Sequence, residues 1–245
     1  MRNLILSSVA AIATMAAGAV SSAAIVTFQQ GANGYSGTAD TFLVAGANAD
    51  NPRGTNVGVQ TRGDSHGLIR FDDIFGSGPN QIPAGQQIIS ATLTVTTNNQ
   101  SVDGFQFHRM LLPFDEATDT WNTWKSGTSG RNLTEGVQAD GQEASTVVEY
   151  IVAPGSVDTV ATHTFDLTAS VQAWYAGQAN HGWVILPAST AQTDSWIFRS
   201  RDWTTQSERP LLTVEYAVPE PACLAIVGLG TLRLLRRRAS TGPRR

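Results

Sequence analysis

"ISATLTVT", residues 89–96, alternates apolar and polar side chains without a break. Ile89, Ala91, Leu93 and Val95 point one way; Ser90, Thr92, Thr94 and Thr96 point the other. A period of two is the pattern of a strand with one face buried and one face wet. Working outward, Thr146–Val152 and Trp196–Arg199 alternate as well, and Leu211–Tyr216 adds a Val- and Tyr-bearing strand. Turn formers punctuate the chain between such runs: Gly31–Gly34, Asn51–Gly54, Gly76–Pro79, Asn98-Asn99, Gly127–Gly130 and Pro154-Gly155. Short, evenly spaced strands predict an all-β fold, a single β-sandwich or jelly roll. One short stretch, Ala169–Ala176 with Val171, Trp174 and Tyr175, predicts a helix of about two turns. There is no internal repeat and no long linker, so residues 25–217 are expected to form one domain.

The composition fits an extracellular β protein. Charged residues make up 15% of the 245-residue chain, against about 25% in ordinary soluble domains. Residues 25–217 carry nine basic and nineteen acidic residues, a net charge of −10. Such a body has no basic face for phosphates, so nucleic acid is excluded as a partner. It would also repel polyanionic glycans, unless a local basic patch or a bound cation intervenes. The one cysteine, Cys223, lies outside the body, which leaves no disulfide and no cysteine-based zinc site there. A body of about 190 residues is large enough to hold together by its core.

Both ends look like addresses. Residues 1–24 combine Arg2, an apolar stretch from Leu4 to Val20 and the small residues Ser22-Ala23-Ala24. That is the build of a secretory signal cleaved after Ala24; a retained anchor is the other reading. Residues 218–245 contain Val218-Pro219-Glu220-Pro221, an apolar run from Ala222 to Leu232, and Arg236-Arg237-Arg238. The run is shorter than the ~20 residues of a permanent span, and the arginines favour an inside orientation. This tail resembles a PEP-CTERM sorting signal. The resemblance implies transient holding at the inner membrane and cutting near Pro219, Glu220 and Pro221 by an exosortase-type processing enzyme. Thr231, Arg233 and the extension Ala239–Arg245 depart from the pattern. An ordinary tail anchor is the alternative.

The body carries a second resemblance. "LIRFDDI" (68–74), "IPAGQQIISATLTV" (82–95), "HRMLLPFDEATDTWNTW" (108–124), "FDLTASVQAWYAGQANHGWVI" (165–185), "FRSRDW" (198–203) and "RPLLTVEY" (209–216) occur in the order of a DNRLRE domain. Asp202 stands where that family usually has Glu. The resemblance spans about residues 38–216 and implies a β-sandwich related to carbohydrate-binding modules. A likeness of this kind speaks to fold before ligand.

Candidate site residues follow from chemistry. Sugar rings stack on aromatic faces, and six tryptophans are present: Trp121, Trp124, Trp174, Trp183, Trp196 and Trp203. Most are expected in the core. On a strand, Trp121 and Trp124 would face opposite ways, which makes Trp124, beside Lys125, a surface candidate; Trp203, after Arg201-Asp202, is the next. Asp115, Glu116 and Asp119 form the densest acidic cluster and are candidate ligands for a structural calcium, with Asp72-Asp73 and Asp40 as lesser options. Arg70 and Arg201 sit in apolar surroundings and call for a carboxylate such as Asp72, Asp166 or Asp202; alternatively they recognise a ligand. No HExxH, GxSxG or phosphate-loop motif occurs. His66, His108, His163 and His181 are scattered, and Asp115 and Glu116 would diverge on a strand. Asn132-Leu133-Thr134 matches a glycosylation sequon. The expectation is an exported, non-catalytic protein that binds polysaccharide or extracellular matrix. A structural or adhesion protein without a sugar site is the first alternative, and a polysaccharide-degrading enzyme the second.

Overall fold

The chain builds two antiparallel sheets, seen in a computed structural model that describes residues 21–124 and 134–219. Ala23–Ala217 form one compact unit. The strands are β1 (Ser21–Gln29), β2 (Thr38–Val44), β3 (Gly58–Thr61), β4 (Ser65–Phe71), β5 (Gln87–Asn99), β6 (Phe105–Met110), β7 (Ala144–Val152), β8 (Thr162–Asp166), β9 (Trp183–Pro187), β10 (Trp196–Arg199) and β11 (Leu211–Pro219). Among the described residues the α-helices are α1 (Trp121–Trp124) and α2 (Thr168–Tyr175). The all-β expectation holds, and the predicted helix at 169–176 is α2.

The first sheet runs β1-β11-β5-β10-β3, with β8 also on β5. Its centre is the long strand that carries the alternating stretch. Thr92, Leu93 and Thr94 pair with β11 on one side and with β8 on the other. Ala91, Leu93 and Val95 are buried, as the alternation requires, but Ile89 is 45% exposed. The reason is a bulge. Ser90 pairs with Glu215 and Ile88 with Tyr216, so Ile89 is the extra residue. Ile88 takes the buried position instead.

The second sheet runs β2-β4-β9-β6-β7. Two apolar layers pack on it. Between the sheets lie Phe71, Phe105, Phe107, Phe165, Trp183, Trp196 and Phe198 with their aliphatic neighbours, closed at one end by Val171 and Trp174 of α2. On the opposite face, Leu43, Leu68, Met110 and Val184 are covered by Phe114, Trp121, Trp124 and Val137 from the connection between β6 and β7. Consecutive residues therefore go to different layers: Leu68 outward and Ile69 inward, Val184 outward and Ile185 inward, all with no exposure. A sheet covered on both faces reads as continuous apolar runs, not as alternation.

The Trp121–Trp124 segment is a helical turn, not a strand. Thr120 and Thr123 cap it reciprocally: Thr123 N donates to Thr120 Oγ1 at 3.1 Å, and Thr120 N donates to Thr123 Oγ1 at 2.7 Å, in the manner of a capping box. Residues three apart in a helix share a side, so both tryptophans are buried together. β1 takes in Ala24, the residue at which the sequence places signal cleavage. Among the described residues, no helix is long and apolar enough to cross a membrane. Residues 1–20, Lys125, the sequon asparagine and the tail from Glu220 through Arg238 lie outside the described residues.

Candidate functional groove at one end of the sandwich

Loops before β2, after β4, after β6, before β9 and after β10 meet at one end of the molecule. They enclose a run of open depressions that share Gly37, Asp72, Asp73 and Asn180 along their borders. The largest, about 560 Å³, is lined by Arg70, Asp72, Phe114, Glu116, His181 and Arg201 among others. A rigid sheet scaffold with convergent loops is a common place for binding residues.

The two arginines of the groove and their carboxylate partners are held by the fold. Arg70 donates from Nε and Nη2 to the two oxygens of Asp72 at 2.7 and 3.0 Å, and from Nη1 to the Phe114 carbonyl at 2.9 Å. Its guanidinium lies 4.9 Å from the centre of the Phe114 ring, within cation–π range. Tyr35 Oη donates to the Asp72 carbonyl at 2.9 Å. Burial, followed by the charge of Asp72, pushes that hydroxyl far up, so it stays a donor. Gly37 allows the close approach of the two loops, since a Cβ there would meet the Asp72 carbonyl at 2.7 Å.

Arg201 ties the other side. Its backbone N donates to Asp40 Oδ2 at 2.7 Å, Nη1 donates to the Thr38 carbonyl at 2.8 Å, and Nη2 lies 2.5 Å from Glu116 Oε1. The second Glu116 oxygen accepts the Asp40 backbone N–H at 2.9 Å. Glu116 thus occupies an open backbone donor of edge strand β2, which would otherwise invite pairing. Asp40 is enclosed, and burial pushes its carboxyl up to about 8 despite the Arg201 hydrogen bond. Burial also raises Glu116, against the pull of the Asp40 N–H and Arg201. His181 is held below its ordinary range by burial and then by Arg70. Asn180 fixes the neighbouring turn, donating to the Phe71 carbonyl and accepting from Gly182 N.

Measured against the sequence-based expectations, the candidates scatter. Arg201 lines the groove, with Glu116 as its main partner and Asp202 Oδ2 farther off at 3.7 Å. Arg70 takes Asp72, as expected, while Asp166 accepts from Thr168 at the start of α2. Trp124 is not a surface platform: it has no exposure, because the helical turn carries it beneath the β6–β7 connection. Trp203 is half-buried and does not border the groove's largest depression. Its indole N–H donates to Glu208 at 2.7 Å, and Arg199 lies 4.6 Å from its ring centre.

Asp115, Glu116 and Asp119 do not converge as a calcium site. Asp119 Oδ2 accepts from Asp115 N, Asp115 Oδ1 accepts from Ala117 N, and Glu116 turns to Arg201. Among the described residues, no three His, Cys, Asp or Glu side chains gather as a metal site. The sequence reading missed Tyr35, Gly37, Phe114 and Asn180. Their one shared signal is position: each lies near a turn that flanks a strand end.

No protein-family model matches the chain, and no curated protein matches it. The DNRLRE and PEP-CTERM resemblances therefore rest on the quoted residues alone.

Proposed function

We propose that this chain is an exported, non-catalytic β-sandwich protein that binds polysaccharide in the loop-lined groove and is sorted through its tail. The observation that carries the reading is the groove itself: an open, polar, multi-loop depression in which Arg70, Asp72, Glu116 and Arg201 are held by hydrogen bonds and ion pairs before any ligand arrives. Preorganised polar groups lower the ordering cost of binding. An open depression suits a chain ligand that extends past the site. The two most central carboxylates, Asp72 and Glu116, are each paired with an arginine, which supports binding over acid–base chemistry.

The test is affinity electrophoresis of the full chain in gels containing single polysaccharides. Retardation by at least one is expected. His181→Ala is expected to weaken it about fivefold, one hydrogen bond's worth, with the unfolding midpoint unchanged. Mass spectrometry of the exported product tests the sorting half, with an N-terminus at Ile25 and a C-terminus near Pro219–Pro221 as the expected result.

One observation favours the structural or adhesion reading. Five of the six tryptophans are buried, and the sixth has Arg199 over its ring, so no open tryptophan platform exists among the described residues. A folded sample that no polysaccharide retards would establish that reading instead.

A further inference from the structure

We infer that the groove accepts sugar chains rich in hydrogen-bond donors and free of negative charge, and turns away chains bearing carboxylate or sulfate. This rests on the polysaccharide reading above and narrows its ligand class. Arginine is the residue that would recognise an acidic sugar, because its fork matches carboxylate and sulfate oxygens. Both groove arginines already pair with a carboxylate, and the one nitrogen of theirs without a hydrogen-bond partner, Arg201 Nε, is buried. Arg70 directs its fork at Asp72 and a further N–H at the Phe114 carbonyl. Arg201 directs its terminal nitrogens at Glu116 and the Thr38 carbonyl. An acidic ligand would have to displace an intramolecular carboxylate at close range and leave it unpaired.

The remaining charges tip the balance further. Asp73 and Asp115 are exposed and border the depressions, so four carboxylates face two guanidiniums. Asp73 sits where two depressions meet. Its backbone is left-handed, with φ of 55°, and its carbonyl is held by Gln81 Nε2 at 2.8 Å. Its carboxylate therefore projects from a fixed point. What the groove offers a ligand is acceptor oxygens, which suit sugar hydroxyls and suit ammonium groups better. The body's charge of −10 adds repulsion of polyanions at longer range.

The experiment retards the full chain in gels containing a neutral β-glucan, chitosan or polygalacturonate, with and without calcium. The expected result is retention by the first two and at least about tenfold weaker retention by polygalacturonate. Asp73→Asn keeps a residue that tolerates the left-handed backbone. It is expected to weaken chitosan retention about threefold, a surface charge pair's worth, and to leave the β-glucan unchanged. Polygalacturonate retention equal to or above the others, with or without calcium, would overturn the inference while the polysaccharide reading stood. Unchanged chitosan retention in a folded Asp73→Asn variant would overturn it too. No retention in any gel would remove the polysaccharide reading itself, and the inference with it.

Discussion

The two apolar layers on the second sheet are built differently. The inner one is enclosed by regular elements on both sides, strands facing strands with α2 at one end. The outer one has strands on one side only; its cover is the β6–β7 connection, a helical turn and loops. Regular elements satisfy their own backbone groups, whereas an irregular cover leans on side-chain contacts and caps. The outer layer is therefore expected to open first, as a local unit, while the inner layer sets global stability.

The strongest way to break this contrast is through the inner layer. Trp196 has no exposure, packs on Phe105, Phe165 and Phe198, and donates from its indole to Thr97 Oγ1 at 2.9 Å. Trp196→Ala is expected to cost about 3–5 kcal/mol and to lower the whole urea transition. Trp121→Ala tests the outer layer. Trp121 is 7% exposed and meets His66 at 4.9 Å between ring centres. The expected loss is about 3 kcal/mol, the lower end for such truncations. Hydrogen exchange should show it as opening of residues 111–124 and 134–143, with β5 still protected. Equal loss of protection in β5 would erase the distinction between layers.

pH acts with opposite signs on His66, under the outer layer, and on Asp40, beside the groove. His66 belongs to the outer side, where its Nδ1 accepts Val137 N. Burial lowers it from 6.5 to about 4. Its stabilisation is present above 6.5 and is lost as pH falls toward 4, because the unfolded imidazole takes the proton first. Asp40, raised from 3.8 to about 8, works the other way. Its stabilisation is full below 3.8, declines as pH rises, and levels off above about 8, with Glu116 acting in the same direction. Between 6.5 and 8 Asp40 acts without opposition from His66. Stability should then fall with pH, by up to about 1.4 kcal/mol per unit for one proton. Asp40→Asn should flatten most of that slope in denaturant titrations run across the window. The smallest effect is expected at the bulge: Ile89→Thr should change stability by about 0.5 kcal/mol or less, although the sequence pattern alone would class Ile89 with Leu93.

What the sequence disclosed follows the same division. The first sheet has one wet face, so Ala91, Leu93 and Val95 announce themselves by alternation. β4 and β9 are buried on both sides, and "GLIRF" and "WVILP" give no hint that neighbours part into separate layers. Ile89 went astray because a bulge leaves no mark in composition. Trp124 went astray because a period of two was applied to a turn whose Thr-x-x-Thr cap signals helix. The groove was legible only as single residues: Arg70 and Arg201 with Asp72, and Asp73, Asp115 and Glu116 under a calcium reading. The Glu116–Arg201 pair joins positions 85 residues apart, and no local pattern can announce such a meeting.

The doubly covered sheet also shapes how the chain must be assembled. Until the β6–β7 connection docks, Leu43, Leu68, Met110 and Val184 form an apolar strip open to solvent. Any state that forms the two sheets before that connection settles is prone to stick to its neighbours. A protease cut between β6 and β7 would recreate that state in the mature protein. The connection would then behave as a built-in shield against clumping.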